Sequence, residues 1–265
     1  MQTGKDWSRR DFVSLLAAGS GLILIELGAL SATQLEALAE SGVDTSEAKP
    51  EGGAPGYNWE QHYWGYVVDV TKCIGCCACM RACRAENDVP SDYARTWVER
   101  YQVMPDGHVI IDTAKGDDHI FDEGNPEAVA GFFVPKLCNH CEATPCTQVC
   151  PVGAAYYTKD GVSLVDPKRC MGCGYCVQAC PYGSRFMNPM THVADKCTLC
   201  YHRITKGDVP ACVASCPREA RIFGDLRDPE SKISKLLASR GHQVLKPGAG
   251  TKPKCYYIGL DREVK

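Results

Sequence analysis

The chain has 265 residues, 45% of them apolar, with 29 basic and 32 acidic side chains and a formal net charge of −3. That size and apolar share can build a core without cross-links, and the near-even charge balance argues against a nucleic-acid partner. Eighteen cysteines far exceed what packing requires, so their chemistry is what the sequence has to explain.

Taken from the N-terminus, Ser8-Arg9-Arg10-Asp11-Phe12-Val13 precedes a mostly apolar stretch from Leu15 to Leu30. A paired-arginine head, a modest apolar region and a small-residue exit make a twin-arginine export signal over 1–39, with cleavage after Ala37-Leu38-Ala39, before Glu40. The alternative is a retained anchor, but the apolar stretch is about 16 residues, contains Glu26 and falls short of the ~20 that span a bilayer. Residues 40–61 are polar with Gly and Pro and read as a linker.

The folded body begins with the aromatics of Trp59 to Trp64. β-Branched alternation predicts a strand at Gly65–Val70, followed by a cysteine loop and a short helix at Met80–Glu86. Strands are expected at 95–103 and at His108–Asp112, joined by the turn signal Pro105-Asp106-Gly107. Residues 114–131 are charged and Gly-rich, a surface insertion, and Phe132–Pro135 is a strand leading into more cysteines. The chain then repeats: cysteine loop, short helix, Tyr156-Tyr157, a turn at Lys159-Asp160-Gly161, a strand at Val162–Val165, cysteine loop. That hairpin between two loops is a ferredoxin unit. Helical spacing follows at 229–240, coil at 247–254 and a last strand at Cys255–Leu260.

Sixteen of the cysteines form four quartets: Cys73, Cys76, Cys79 and Cys83; Cys138, Cys141, Cys146 and Cys150; Cys170, Cys173, Cys176 and Cys180; Cys197, Cys200, Cys212 and Cys216. The first and third read C-x2-C-x2-C-x3-C, the spacing of two-cluster ferredoxins, in which the fourth cysteine ligates the other cluster. The second and fourth are the same loop with an insertion before the third ligand. Pro151, Pro181 and Pro217 follow the last cysteine of three quartets, and Arg84 stands there in the first. Zinc sites use two close pairs separated by a longer stretch, and disulfide scaffolds are typically shorter chains; neither explains four repeats of one spacing. The spacing therefore predicts 4Fe–4S clusters on all sixteen cysteines. Cys77 and Cys255 are left as non-ligands, and His140 as a hydrogen-bonding or surface residue.

Each oxidised cluster with four thiolates carries about −2, so four add about −8. Lys72, Lys136, Lys168 with Arg169, and Lys196 stand just before the quartets, where cations tune potential or meet a partner. No large continuous core is expected: the clusters serve as cores, and without them the domain does not fold. No Ser/His/Asp group, phosphate loop or carboxylate pair stands out, so no catalytic residue is assigned.

The fold class expected is α+β: two interleaved ferredoxin-like 4Fe–4S dicluster units with a C-terminal extension. The first unit would hold 62–131 and 187–226, the second, inserted unit 132–186, and the extension 227–265.

With these motifs in hand, the chain resembles the four-cluster iron–sulfur (beta) subunits of the dimethyl-sulfoxide-reductase molybdoenzyme family. The resemblance rests on C-N-H-C-E-A-T-P-C-T-Q-V-C-P (138–151), G-Y-C-V-Q-A-C-P-Y-G-S-R-F (174–186), A-D-K-C-T-L-C-Y-H-R (194–203), V-P-A-C-V-A-S-C-P (209–217), F-G-D-L-R-D-P-E-S (223–231) and G-T-K-P-K-C-Y-Y-I-G (250–259). Within the family it is most similar to polysulfide/thiosulfate and tetrathionate reductase subunits and to the iron–sulfur protein of formate-dependent nitrite reduction. The resemblance implies crossed ligand sets. Cluster A takes Cys73, Cys76, Cys79 and Cys216, and cluster B takes Cys197, Cys200, Cys212 and Cys83. Cluster C takes Cys138, Cys141, Cys146 and Cys180, and cluster D takes Cys170, Cys173, Cys176 and Cys150. It further implies an electron-transfer subunit without a catalytic site of its own. Such a protein would sit periplasmic and membrane-associated between a quinone-reactive membrane subunit and a catalytic subunit, which in that family contains molybdopterin. A free periplasmic ferredoxin-like carrier, or a component of a multihaem-cytochrome or sulfite-pathway complex, is the alternative.

Overall fold

The N-terminal part of the folded body is built around Trp64–Asp69 (β1), whose Val67 and Val68 point to opposite faces and are both fully buried. A computed structural model describes residues 54–114, 120–261 and 264. The export signal and most of the linker expected from the sequence lie outside the described residues. After β1 and the first cysteine loop comes a helix at Ala78–Asn87 (α1). It starts two residues earlier and ends one later than expected from the sequence.

Thr96–Val103 (β2), Val109–Thr113 (β3) and Ala130–Leu137 (β4) form an antiparallel sheet with β2 in the middle. The turn between β2 and β3 places Gly107 at φ +82°, which glycine adopts without penalty. Pro145–Gln148 (α2), Ala155–Tyr157 (β5) and Ser163–Val165 (β6) follow, the two strands pairing as the expected hairpin. Tyr175–Gln178 (α3) leads to the hairpin of Arg185–Met187 (β7) and Ala194–Lys196 (β8). Tyr201–Ile204 (α4), Ala211–Ala214 (α5), Arg221–Asp225 (β9), Lys232–Ser239 (α6) and Cys255–Ile258 (β10) complete the series.

A strand buried on both faces belongs in the middle of a sheet. Accordingly β9 pairs antiparallel on one side of β1, and β10 pairs parallel on the other. The C-terminal stretch is thereby part of the first sheet. It also straps the second cysteine loop: the Glu142 and Ala143 amides donate to the Lys252 and Thr251 carbonyls, and the Lys254 amide donates to the Asn139 carbonyl.

The expectation of no large continuous core is corrected by the structure. Tyr66, Val68, Val98, Tyr101, Val134, Leu137, Val162, Leu199, Ile204 and Tyr257 pack in one contiguous buried set that includes Cys79, Cys138, Cys197 and Cys212. The reason is that each strand contributes only one or two inward residues. Those residues meet across elements distant in sequence, so no apolar run announces them. Among the described residues no helix is long and apolar enough to cross a membrane.

Candidate iron–sulfur centres

Each quartet opens with C-x-x-C, and a 3.8 Å Cα step allows the two sulfurs to face one object only if the chain curls sharply between them. The structure achieves this in the same way four times. The residue before the second cysteine is left-handed in every loop: Gly75 (φ +69°), His140 (φ +42°), Gly172 (φ +74°) and Leu199 (φ +55°). Glycine takes this conformation freely. His140 and Leu199 take it under strain and are compensated by burial, at 3% and 2% exposed. At Gly172 there is also no room: an added Cβ would stand 2.7 Å from the His192 carbonyl oxygen.

The last cysteine of each quartet leaves its loop in one of two ways. In the second, third and fourth quartets proline follows, the preceding helix is only four residues long, and a strand begins five positions after the cysteine: Cys150 to Ala155, Cys180 to Arg185, Cys216 to Arg221. The tight exit turns backbone N–H groups onto sulfur. The Ala155 amide is 3.4 Å from Cys150 Sγ and the Ala220 amide 3.3 Å from Cys216 Sγ. In the first quartet Cys83 lies inside α1, and the helix continues to Asn87.

Residues distant in sequence meet at these exits. Cys73, Cys76 and Cys79 line a narrow cavity together with Cys216, Cys77 and Arg221. Asn87 Nδ2 lies 3.7 Å from both Cys83 Sγ and Cys200 Sγ. The Tyr66 hydroxyl stands 3.3 Å from Cys212 Sγ. Cys146 and Cys176 pack together with Ala194 and Cys170, and the Ala194 amide donates to Cys170 Sγ at 3.4 Å. Cys141 interacts with Cys138, Cys146 and Cys180. Cys76 and Cys173 are exposed, and the other quartet cysteines are buried or half-buried.

These surroundings fit iron–sulfur clusters. Among the described residues no three Cys, His, Asp or Glu side chains converge as a single metal ion would require. The thiols are instead spread around shared spaces and receive N–H donors, the environment that cluster sulfurs take. Burial raises the Cys73 and Cys141 thiols to about 11 and pushes Cys83 up as well. These thiols are therefore protonated near neutrality before loading, and ligation releases their protons.

The leftover residues fall into place. Cys77 caps the start of α1 in a left-handed conformation and donates its S–H to the Gly75 carbonyl at 3.3 Å. Cys255 is buried in β10. His140 is buried, and its Nδ1 accepts the Ser163 amide at 3.1 Å. Burial and the nearby Lys196, Lys254 and Arg185 hold its pKa well below the ordinary histidine range, so the ring is neutral and inside the protein, not at the surface.

The four basic positions before the quartets are not alike. Lys72 reaches Asp69 at 4.0 Å with its side chain 45% exposed, Lys136 pairs with Glu99 at 2.6 Å, and Arg169 lies 3.5 Å from Asp166. Only Lys196 among them is 2% exposed, and its ammonium donates to the Ser163 and Cys197 carbonyls. Three more buried cations were not anticipated from the sequence, Arg185 at 4%, Arg221 at 2% and Lys254 at 3% exposed. The two arginines each stand five residues after a quartet's last cysteine, in C-P-x-x-x-R, and that recurrence was the available signal.

Comparison with known proteins agrees with this geometry. Residues 129–226 match a 4Fe-4S dicluster domain. The chain is similar to the B subunit of the tetrathionate reductase of Salmonella typhimurium, 42% identical over 90% of this chain and 87% of that protein. It is similar to the B subunit of the tetrathionate reductase of Archaeoglobus fulgidus, 46% identical over 74% of this chain and 81% of that protein. The iron-sulfur B subunit of a dimethyl sulfoxide reductase assigned provisionally in Halobacterium salinarum is 39% identical over 74% of this chain and 78% of its own length.

Proposed function

The chain belongs to the family of 4Fe–4S iron–sulfur B subunits of reductases and carries four 4Fe–4S clusters, and on that premise we propose that it is the electron relay of a periplasmic, membrane-associated oxidoreductase complex. Its partners are a quinone-reactive integral membrane subunit and a catalytic redox subunit, a molybdopterin enzyme in the way of the family. The chain is organised as two interleaved ferredoxin-like units and reaches its compartment by the twin-arginine route.

The observation that carries the reading is the company of Cys216. It shares a cavity with Cys73, Cys76 and Cys79, and this supports crossed ligand sets. Cluster A is then held by Cys73, Cys76, Cys79 and Cys216, and cluster B by Cys197, Cys200, Cys212 and Cys83. Cluster C is held by Cys138, Cys141, Cys146 and Cys180, and cluster D by Cys170, Cys173, Cys176 and Cys150. The Asn87 amide beside both Cys83 and Cys200 supports the second of these sets. The neighbourhood of Cys141, Cys138, Cys146 and Cys180 supports the third.

Each cluster, when bound, accepts and releases one electron at a time. The chain's own residues set the conditions for that transfer. The thiolates fix position, backbone amides and Asn87 donate to sulfur, and the contiguous core excludes water between quartets. Exposed Cys76 and Cys173 belong to different pairs and suit the two ends of the relay, where electrons enter and leave. No residue of this polypeptide is assigned a catalytic role of its own.

The test is purification from detergent-solubilised membranes of the native host, with iron, sulfide and redox-titrated electron paramagnetic resonance measured on the product. Co-purification with a membrane subunit and a catalytic subunit, with all clusters reoxidised by the catalytic subunit's substrate, is expected. A monomer in the salt-washed soluble fraction would overturn the complex and leave the free carrier.

A further inference from the structure

Arg185 and Arg221 are the first residues of β7 and β9, and both guanidinium groups are almost wholly removed from solvent, at 4% and 2% exposed. Arginine stays charged in proteins, and a buried charge without an opposite partner is strongly unfavourable. Yet among the described residues neither forms an ion pair with Asp or Glu, unlike Arg95, Arg100, Arg203 and Arg240. Their hydrogen bonds are also incomplete. Arg221 Nη1 donates to the Tyr66 hydroxyl at 3.4 Å and Arg185 Nη2 to the Ser163 hydroxyl at 3.3 Å. Arg221 Nη2 and both Nε and Nη1 of Arg185 have no partner.

What surrounds them is sulfur from two quartets at once. Arg221 lines the cavity of Cys73, Cys76, Cys79 and Cys216. It interacts with Cys79 of the first quartet and Cys212 of the fourth, and its partner Tyr66 is itself 3.3 Å from Cys212 Sγ. Arg185 interacts with Cys146 and Cys138 of the second quartet and Cys176 of the third. Under the crossed assignment Cys79 and Cys212 hold different clusters, A and B, and Cys146 and Cys176 likewise hold C and D. Each arginine thus stands in the gap of one pair, at the same place in the repeat.

We propose that Arg221 and Arg185 are the internal counter-ions of the A/B and C/D cluster pairs, each using its unpartnered N–H groups on the sulfurs of two neighbouring clusters and raising the reduction potential of both. The inference rests on the crossed ligand sets of the proposed function. The physical basis is charge. Reduction adds one electron to a pair that already carries negative charge, no proton accompanies it, and a fixed cation within the low-dielectric gap offsets the addition. One cation shared by two clusters raises both members of a pair together. Lys196 differs, because its ammonium already donates to the Ser163 and Cys197 carbonyls. These two arginines are positioning residues and touch no substrate.

The experiment uses the full-length loaded protein, titrated with dithionite and followed by electron paramagnetic resonance, with iron and sulfide assayed on each preparation. Arg221→Gln is expected to make two of the four clusters about tenfold harder to reduce, about 59 mV for a one-electron couple, and to leave the other two unchanged. Arg185→Gln is expected to shift the complementary two. Arg→Lys at either position, which keeps the charge, restores most of the potential. Fully loaded Gln variants with four native potentials, or with one uniform shift of all four, would overturn the proposal. If a Gln variant loses iron, the Lys variant decides: retention with near-native potentials supports the counter-ion role, and loss in both forms sinks it in favour of shape. A native protein without reducible cubane signals would instead remove the proposed function, a distinct outcome.

Discussion

The first cysteine loop and the other three solve the same problem differently. After Cys150, Cys180 and Cys216 a proline ends a four-residue helix and the chain turns into a strand. After Cys83 there is no proline, and α1 runs ten residues, from Ala78 to Asn87. The tight exits aim backbone amides at sulfur, as Ala155 and Ala220 do, and no side-chain substitution can remove those donors. The helical exit replaces them with a side chain, Asn87. One loop therefore has a sulfur environment that mutation can adjust, while the other three have theirs written into the main chain.

Substitutions test that contrast, and the ligand itself should give the largest effect. Cys83→Ser is expected to abolish the cluster whose other ligands are Cys197, Cys200 and Cys212, removing about a quarter of the iron. Loss of the Cys73 cluster alone, read by spectroscopy of paired single-cysteine variants, would refute the crossing. Arg84→Pro imposes the tight exit on the helical loop. It breaks the i→i−4 bond in the interior of α1 and should cost about 3 kcal/mol or more by chemical denaturation. Pro181→Arg, the reverse change, should cost under about 1 kcal/mol. Equal costs would mean that the two exits are interchangeable.

Gly172→Ala probes what the loops share. Its left-handed backbone (φ +74°) and the His192 carbonyl oxygen 2.7 Å from the added Cβ predict a loss of about 2 kcal/mol and weaker iron retention in the third quartet. Asn87→Leu should lower stability by about 1 kcal/mol and make the cluster of Cys83 and Cys200 harder to reduce while the tight-exit clusters stay put. A redox titration reads both. The smallest effect belongs to Glu86→Gln. Glu86 ties α1 to α4 through His202 at 2.6 Å and Arg203 at 2.9 Å, a largely solvated contact worth about 0.5 kcal/mol. The hydrogen bond from His202 is the main cause holding its carboxyl below the ordinary value. A depressed carboxyl contributes above its unfolded pKa and loses that contribution as pH falls through the lowered folded value. The difference between wild type and Glu86→Gln should therefore vanish in acid, checked by denaturation midpoints at several pH values.

Much of this was legible from residue order. The strands at β1, β2 and β3, the β5–β6 hairpin around Lys159-Asp160-Gly161 and the helix near 232 all follow from alternation, turn residues or helical spacing. The quartets are visible because ligand spacing is local. The core was not visible. Tyr66, Tyr101, Leu137 and Tyr257 come from four different strands, and only their pairing brings them together. Nor were Arg185 and Arg221 visible as buried charges, since an arginine opening a strand ordinarily points to water. At Lys72, Lys136 and Arg169 the recurrent position before a quartet comes with different surroundings, which residue order does not show.

The parallel pairing of β1 with β10, Tyr66 opposite Cys255 through Asp69 opposite Ile258, bears on the order of assembly. All four quartets are synthesised between these two strands, so β1 emerges first and waits longest for its neighbour. An unpartnered strand edge is a template for wrong pairing, and contacts so remote in sequence form slowly. Cys73 waits in the same way for Cys216 to arrive. A chain that stops before β10 leaves one edge of β1 open, and one that stops before Cys216 leaves the first loop's cavity incomplete. The first sheet is therefore completed last, by the final strand of the chain.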